Sequence, residues 1–370
     1  MDTKPPPCKP LNPSEVVINN ATQVSFSEEP MSTESLYDHL NKVSRSFAIT
    51  IPLMSGPLKD CVSLAYLLCR IVDTVEDDAK ANTVDKITWL SDISFLAGDD
   101  FADKDVLFRL KEKALELCSD GSNAEYVALL HDMDKAVNLL ETYDDDIKEI
   151  VCHAVAILAH GMASNLRKTL DEDEKGICNL DDVDNYCYFV AGVIGEMLAE
   201  LFALYNRDVN KNELMELAVS FGEGLQLINI LRDRAKDAQR GALFLPVKDE
   251  QDVLEYVALT QGHLDDAINF ICALPVKDSS GSRMFCLTNV CMALLLLRQV
   301  SRDPMNPQCD YRLTRAKVKR IFVLCRLAAH SNTLVRALSF ILSAGMRRQR
   351  RSVRRLRDKV SIWDHSSNTN

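Results

Sequence analysis

Two stretches of the sequence each carry a pair of aspartates four positions apart. Asp73 and Asp77 lie in RIVDTVEDDAK, and Asp233 and Asp237 lie in LRDRAKDAQRG. Residues at this spacing share one face of an α-helix, so each pair would present two carboxylates together. Neighbouring carboxylates resist ionising together unless cations neutralise them. Because oxygen ligands suit Mg²⁺, which commonly bridges carboxylates to substrate phosphates, these two pairs predict a magnesium-dependent diphosphate site.

The first pair continues a mixed stripe along its helix. Tyr66, Arg70, Asp73 and Asp77 fall at i, i+4, i+7 and i+11, so one face would carry an aromatic ring, a cation and two carboxylates. The rest of this helix is largely apolar and would form a wall of a hydrophobic pocket. Metal-assisted departure of diphosphate leaves a carbocation, so such a pocket would have to exclude water.

The second pair has amides in the same position relative to it. Gln226 and Asn229 precede Asp233 and Asp237 at i, i+3, i+7 and i+11. One such pair is typical of ordinary surface charge, but two pairs that each end an apolar helix favour a shared site. Three arginines could complete the neutralisation of a bound diphosphate: Arg45, Arg70 and Arg232.

The elements that must position these side chains are helices. Apolar residues follow the 3.6-residue period from about Thr33 to about Gly345. Helices are predicted over 33–45, 57–79, 84–97, 103–118, 122–140, 143–170, 181–207, 211–238, 250–274, 281–301 and 314–344. No alternating strand pattern of useful length is found, so the sequence predicts an all-α single domain over 33–345. Residues 1–32, rich in proline, are expected to form a flexible leader, and residues 346–370 a basic C-terminal tail.

Composition excludes several classes of protein. The formal net charge of −11 argues against non-specific binding of nucleic acid across the surface. The twelve cysteines are scattered without a C-x-x-C pair, which is typical of reduced core residues in a cytosolic protein. No secretory signal is found, and no uncharged apolar run approaches the roughly 18 residues of a spanning helix. A soluble, cytoplasmic protein is expected, whose basic tail could touch anionic lipid or a partner.

Five stretches together resemble the squalene/phytoene synthase family, and within it the squalene synthases. They are SRSF at 44–47, YLLCRIVDTVEDD at 66–78, YCYFVAGVIGEML at 186–198, LQLINILRDRAKD at 225–237 and, more loosely, FCLTNVCMALLLL at 285–297. They cover most of residues 35–300 in the family's order. DTVEDD looks like the squalene branch, whereas the second acidic motif is more similar to bacterial phytoene-type enzymes.

The resemblance implies one isoprenoid synthase domain with a central apolar cavity, and a role for each matching residue. The implied magnesium ligands are Asp73, Glu76, Asp77, Asp233 and Asp237. The implied phosphate-binding residues are Ser44, Arg45, Arg70 and Arg232, with the amides Gln226 and Asn229 nearby. The implied lining of the prenyl pocket is Phe47, Ile194, Leu198 and Phe285. Tyr186 is implied to handle a proton or stabilise a cation, and Tyr66 to be a second pocket tyrosine.

The implied reaction has two steps. Two farnesyl diphosphates join head to head to give presqualene diphosphate, and NADPH then delivers hydride to give squalene. This is the activity of a farnesyl-diphosphate farnesyltransferase. The sequence has no G-x-G-x-x-G, so NADPH would not bind through a Rossmann unit, and its site is not identified. The alternative is a synthase of dehydrosqualene, phytoene or hydroxysqualene, in which the last cation loses a proton or takes water.

Other interpretations stay open. Lys236 stands where an acid often precedes the final aspartate, and it would either weaken a third metal ligand or point to solvent. The role of Arg240, the function of the basic tail and the oligomeric state are not decided. A catalytically silent isoprenoid-binding protein is disfavoured by the intact acids and Tyr186. A nucleic-acid-binding module is disfavoured by the acidic body.

Overall fold

The computed structural model describes residues 25–118, 123–171, 177–239, 243–306 and 311–364. Within these ranges the chain forms helices and no β-strand, which confirms the all-α prediction. The helices are α1 Thr33–Val43, α2 Phe47–Thr50, α3 Gly56–Asp77, α4 Thr83–Asp99, α5 Lys104–Leu117, α6 Ala124–His131, α7 Met133–Leu140, α8 Asp145–Asp171, α9 Leu180–Cys187, α10 Val193–Tyr205, α11 Lys211–Gln239, α12 Glu250–Ala273, α13 Ser280–Arg302, α14 Arg315–Ala328, α15 Asn332–Leu342 and α16 Val353–Val360. A 3₁₀ turn spans Ile51–Leu53, and a π-helical segment spans Tyr188–Gly192.

Two of the predicted helices are broken in the structure. The helix expected over 122–140 divides at Asp132, whose carboxylate binds His39 at 2.9 Å and Lys135 at 2.8 Å. The helix expected over 314–344 divides after Ala328, where Ser331 caps the start of α15. The guanidinium of the fully buried Arg283 donates to the Ala329 carbonyl at 2.6 Å, so the end of α14 is satisfied inside the protein. Tertiary hydrogen bonds therefore set breaks that the apolar period does not reveal.

α10 contacts both helices that carry the aspartate pairs. It packs against α3, α8 and α11. α11 also packs against α9, α12, α13 and α16, which makes it a central element of the domain. Four helical stretches are long and apolar enough to cross a membrane by length and composition, but 56–72% of each apolar window is buried within the fold. Their apolar character is thus explained by the core.

Two glycines bring α11 into backbone contact with the helix before it. A Cβ atom on Gly195 would lie 2.1 Å from the carbonyl oxygen of Ala218, and one on Gly222 would lie 2.1 Å from that of Ala191. No side chain fits at either position without moving the backbone. The π-helical segment, a feature often found at functional sites, lies in this close contact, immediately after α9.

The end of the expected leader belongs to the domain. The Ser27 amide donates to the buried Asp134 carboxylate at 2.5 Å, and Met31 is only 2% exposed. Lys111, also buried, binds the same carboxylate at 2.8 Å. Ser27 and Met31 therefore contact the domain, and Ser27 completes the hydrogen bonds of a buried acid. Residues 1–24 lie outside the described residues.

The described part of the basic tail also packs on the domain, so the domain extends past the boundary expected at residue 345. Leu356, Val360 and Trp363 are buried, and the Trp363 ring contacts His153 edge-on at 4.6 Å between centroids. The Gln349 amide donates to the Ala258 carbonyl of α12 at 2.9 Å. Residues 365–370, at the end of the tail, lie outside the described residues.

Candidate functional site

The mixed stripe predicted on α3 is present. Arg70 lies 3.2 Å from the Asp73 carboxylate and donates to the Tyr66 hydroxyl at 3.3 Å. Its guanidinium also lies over the rings of Tyr66 and Tyr126, at 5.6 and 5.9 Å from their centroids. Tyr66, Arg70 and Asp73 are half-buried, and Asp77 is exposed at the end of the helix. This face of α3 therefore looks onto a space that solvent partly reaches.

The acids of α3 occupy the end of the helix where negative charge is least favourable. Asp77 is the last helical residue, and Glu76 precedes it. The carbonyl end of a helix carries partial negative charge, so carboxylates there are destabilising unless a cation lies near them. The Lys86 ammonium donates to the Glu76 carbonyl at 2.7 Å, and Asp78 accepts two backbone hydrogen bonds that turn the chain. The protein thus stabilises the helix end but leaves Asp77 facing outwards.

The carboxyl group of Asp73 has a raised pKa. Burial and the charge of Asp77 raise the pKa of Asp73 to about 6, against the opposing effect of Arg70. A cation close to this carboxyl group would lower the pKa and favour the ionised form. The elevated pKa is the electrostatic cost of placing two acids one turn apart in a partly enclosed site.

The second pair of acids is held differently at the end of α11. Arg232 donates to the Asp233 carboxylate through Nε at 3.0 Å and also through Nη2, and the Lys236 ammonium lies 3.4 Å from it. Burial would raise the pKa of Asp233, but the hydrogen bonds and charges of Arg232 and Lys236 lower it overall. Asp237, one turn on, is buried. Lys236 is 56% exposed and also contacts Asp233, so its ammonium group faces both solvent and this carboxylate. Arg240 lies outside the described residues.

Tyr186 lies near the acids of α3 and packs on the segment after α11. It lies on α9, and its ring stacks on Phe244, which follows α11, at 4.9 Å between centroids and 22° between planes. Burial raises the pKa of Tyr186 well above 10, and the charges of Glu76, Asp77 and Asp73 raise it further. The phenol is therefore close to the acids of α3 while its ring packs on the segment beyond α11.

A cavity of about 350 Å³ opens beside Tyr186, lined by Phe189 and by polar groups that include Asn165 and Lys168. A larger cavity of about 460 Å³ lies between α4 and α5, and none of the predicted site residues lines it. Of these two cavities, the one beside Tyr186 includes a predicted site residue, and that residue is Tyr186 alone.

A cluster of aromatic rings joins α3 to two other helices. The Phe47 ring lies 5.3 Å from that of Tyr66 and 6.3 Å from that of Phe285, which joins α2, α3 and α13. The Asn289 amide donates to the Thr50 hydroxyl at 3.2 Å and fixes α2 against α13. Phe285 is buried, whereas Phe47 and Tyr66 are partly exposed. This cluster is an apolar wall next to Arg70 and Asp73.

The other predicted residues are placed unevenly. The Ser44 hydroxyl accepts the Phe47 amide at 3.0 Å, so in this structure it caps α2, and Arg45 is exposed. On α10, Leu198 is buried and Ile194 partly so, one turn apart. On α11, the two predicted amides differ in exposure: Gln226 is half-buried and Asn229 is exposed.

A family model described as squalene/phytoene synthase matches residues 40–321. The chain belongs to this family. The match covers well over half of the chain and confirms the resemblance seen in the motifs. The chain is accordingly an enzyme of the squalene/phytoene synthase family.

Individual members of the family agree with this. Squalene synthase ERG9 of Candida albicans is 28% identical over 355 residues, which are 88% of this chain and 71% of that protein. Human squalene synthase is 32% identical over 217 residues, which are 58% of this chain and 46% of that protein. A solved structure described as TcSQS with a ligand has a TM-score of 0.69 at 22% identity, covering 90% of this chain and 97% of that one. The structural likeness supports the fold.

The acids fit the chemistry of Mg²⁺ in a family that acts on prenyl diphosphates. Among the described residues, no three His, Cys, Asp or Glu side chains form a cluster that could hold a metal by itself. Mg²⁺ is usually held by one or two carboxylates together with substrate phosphates and water, not by a cage of protein ligands alone. A pair of acids on α3 and another on α11 suits that mode of binding.

Sequence reasoning missed several residues of this site. Phe244 stacks on Tyr186, Tyr126 lies under Arg70, and Phe189 lines the cavity. Phe244 follows the second acidic motif directly and could have been suspected from its place in ALFLP. Tyr126 had no signal, because its helix carries none of the motifs and meets α3 only in the folded protein.

Proposed function

We propose that this enzyme is a squalene synthase. It condenses two farnesyl diphosphates head to head to presqualene diphosphate and then reduces this intermediate to squalene with NADPH. The observation that supports this best is the position of Tyr186. The charges of the acids on α3 raise the pKa of its phenol, and its ring stacks on the segment after α11. One neutral phenol thus lies near the acids of α3 and packs on the segment that follows the second acidic motif.

The proposed metal ligands are the five acids at the ends of α3 and α11. They are Asp73, Glu76, Asp77, Asp233 and Asp237. Bound Mg²⁺ would neutralise the diphosphate and make it a better leaving group. The ligands lie at the carbonyl ends of two helices, where they gain most from added positive charge.

The arginines are proposed to bind the diphosphates, together with Ser44, Gln226 and Asn229. Arg70 and Arg232 already lie against Asp73 and Asp233. A guanidinium beside a carboxylate can donate its remaining N–H groups to a phosphate without leaving the acid. Arg45 is exposed and free to approach from solvent. Substrate binding would thus add anionic groups to cations that are already in position.

Tyr186 and Tyr66 are proposed to act at the reacting carbons. Because the pKa of Tyr186 lies well above 10, its phenol keeps its proton and acts as a hydrogen-bond donor and proton source rather than as a base. The faces of aromatic rings stabilise cations, and Phe47, Tyr66 and Phe285 form such a wall beside Arg70. Ile194 and Leu198 would line the prenyl pocket from α10 and exclude water.

The hydride step decides between squalene and the alternatives, and product analysis tests it. Bound NADPH would supply the hydride. Purified enzyme is incubated with farnesyl diphosphate and Mg²⁺, with and without NADPH, and products are separated by gas chromatography after dephosphorylation. Squalene should form only with NADPH, and presqualene diphosphate should accumulate without it. Dehydrosqualene, phytoene or hydroxysqualene formed regardless of NADPH would identify the alternative synthase. No product under either condition would favour the silent isoprenoid-binding protein.

The proposed setting is the cytoplasm, with peripheral contact to a membrane and no nucleic-acid partner. Farnesyl and squalene chains are insoluble in water, so a lipid surface is a natural place for substrate to enter and product to leave. The basic tail was the first candidate for this contact. Several of its cations bind acids of the domain instead: Arg351, Arg357 and Lys359.

A further inference from the structure

The hairpin formed by α14 and α15 carries an exposed apolar surface. Its large side chains are 44–69% exposed. They are Val323, Leu324, Leu327, Leu334, Phe340 and Ile341, and together they are called the α14–α15 face. Six of the fourteen large apolar side chains exposed in the described part of the chain lie on these two helices. Apolar exposure at this density marks an interaction surface more often than chance.

The two helices present this surface in the same direction. Each packs on the core by its opposite side, through Ile321, Cys325 and Ala328 on α14 and through Val335 and Leu338 on α15. Both helices contact α13, and they contact each other. Because their inner sides meet the same neighbour, their outer sides both point away from α13. The face is therefore an outer layer of the domain.

The segment of chain that carries the face holds positive charges and no negative ones. From Tyr311 to Arg357 the sequence has fourteen Lys or Arg residues and no Asp or Glu, in a chain whose net charge is −11. On α14, Lys319, Val323 and Arg326 follow one row at i, i+4 and i+7, and Arg320 lies one turn before Leu324. All three cations are exposed. Among the described residues, no carboxylate lies within ion-pair distance of them.

We propose that the α14–α15 face docks onto the surface of an anionic lipid membrane. A helix with apolar side chains on one side and Lys or Arg along its edges lies in the membrane interface, with the apolar groups among the acyl chains and the cations at lipid phosphates. A second copy of this chain would bring the same positive surface against itself, which like-charge repulsion disfavours. A nucleic acid would match the cations but leave the exposed Leu, Phe and Ile side chains in water.

This assignment moves the membrane contact away from the tail. Arg351 and Lys359 bind the buried Asp184, and Arg357 binds the buried Glu196, so these three cations are engaged within the domain. The lysines and arginines of α14 have no such partners among the described residues. The inference does not depend on which product the enzyme makes, since none of the face residues belongs to the proposed active site.

Flotation with lipid vesicles tests the proposal. The whole chain is mixed with vesicles of phosphatidylcholine alone or with roughly one-third phosphatidylserine, a content at which the surface potential is substantial. The protein should float with the anionic vesicles, and added salt should weaken this binding because it screens the charges. The double variant Leu327→Glu/Phe340→Glu should bind at least about tenfold more weakly. Lys319→Gln/Arg320→Gln/Arg326→Gln should lower the affinity and its salt dependence.

Phe95→Glu is the matched control, because Phe95 is 74% exposed on α4 and lies outside the face. It should float like the wild type, and all variants should keep their far-UV circular dichroism spectra and their activity on detergent-solubilised substrate. The proposal is overturned if the wild type does not float, or if the double variant floats as the wild type does. Two further results would also overturn it. One is a dimer, seen by sedimentation without vesicles, that the double variant abolishes. The other is salt-sensitive binding of RNA or DNA that exceeds binding to the vesicles.

Discussion

Arg351 binds Asp184 through two N–O contacts of 2.6 Å each, although the two residues are 167 positions apart in sequence. Asp184 is only 2% exposed and lies two residues before Tyr186 on α9. Lys359 contacts the same carboxylate at 3.0 Å. A second cation from this segment, Arg357, lies 2.8 Å from the fully buried Glu196 of α10. The basic C-terminal segment thus neutralises acids in the helices on either side of the π-helical turn.

The first prediction concerns this pairing. Arg351→Met removes the main partner of a buried carboxylate and should lower the free energy of unfolding by about 3 kcal/mol, measured by urea denaturation. Asp184→Asn in the same chain should recover part of the loss, because the buried charge is then gone. Arg354→Met is the control: Arg354 is exposed three residues away, and its loss should change stability by less than about 0.5 kcal/mol. Equal effects of the two arginine variants would contradict the structural role of the pair.

The second prediction concerns the acids. Asp73→Asn and Asp233→Asn should each lower turnover by about two orders of magnitude or more, because each removes charge that would hold a metal–diphosphate complex. Their unfolding free energies should remain near that of the wild type, since both side chains are only partly buried. Steady-state rates with saturating Mg²⁺ measure the effect, and Glu112→Gln, an exposed acid on α5, serves as control. Full activity in either aspartate variant would count against the metal-binding proposal.

The third prediction concerns Tyr186. Tyr186→Phe keeps the ring that stacks on Phe244 and removes only the hydroxyl. It should therefore lower kcat much more than it raises KM, by about 10²-fold or more if the phenol moves a proton in the reaction. Tyr205→Phe, at the far end of α10, should leave both constants unchanged. A rise in KM with kcat intact would instead indicate that the hydroxyl only helps to bind substrate.

The fourth prediction concerns a buried pair on α11 and α12. The Glu223 carboxylate lies 3.6 Å from Nε2 of His263, and both side chains are at most 2% exposed. Burial and the charge of Asp184 raise the pKa of Glu223 well above 4.5, although Arg351 and Lys359 oppose this. Burial and the charge of Arg351 lower the pKa of His263 to about 4, although Asp184 opposes this. The pair therefore holds one proton over a wide range of pH.

The sign of each effect follows from proton counts. Above pH 4.5 the unfolded chain releases the Glu223 proton that the folded protein keeps, so this residue lowers stability as pH rises. Between about pH 4 and 6.5 the unfolded chain binds a proton at His263 that the folded protein does not, so this residue raises stability as pH rises. The two slopes cancel between 4.5 and 6.5. Above 6.5 only the loss from Glu223 remains.

Glu223→Gln should remove that loss. Relative to the wild type, the free energy of unfolding of the variant should rise by about 1.4 kcal/mol per pH unit above pH 4.5 until Glu223 ionises in the folded protein. Denaturation at several pH values between 5 and 8 measures the difference. Glu112→Gln, which alters an exposed carboxylate, should show a difference that does not change with pH. A flat difference for Glu223→Gln would mean that this carboxyl is ionised in the folded protein.

Local periodicity was enough to predict most helices but not their breaks. The helix bearing Asp73 was expected over 57–79 and spans Gly56–Asp77, because its apolar face and its start at Gly56–Pro57 are both local signals. The division at Asp132 was missed, because it depends on hydrogen bonds to His39, 93 residues away. The contacts of the tail are not readable from the sequence for the same reason, since nothing in RRQRRSVRRLRDK shows that Arg351 and Arg357 meet buried acids.

By itself, the sequence determined which helices form and which of their faces carry acids, cations and aromatic rings, because these follow from spacing of a few residues along one chain. Only the tertiary structure decided that Tyr186 stacks on Phe244 beside the acids of α3, that Arg351 neutralises Asp184, and that the apolar side of α14 and α15 stays uncovered. These contacts depend on burial and charge shared between distant segments, which no local pattern records.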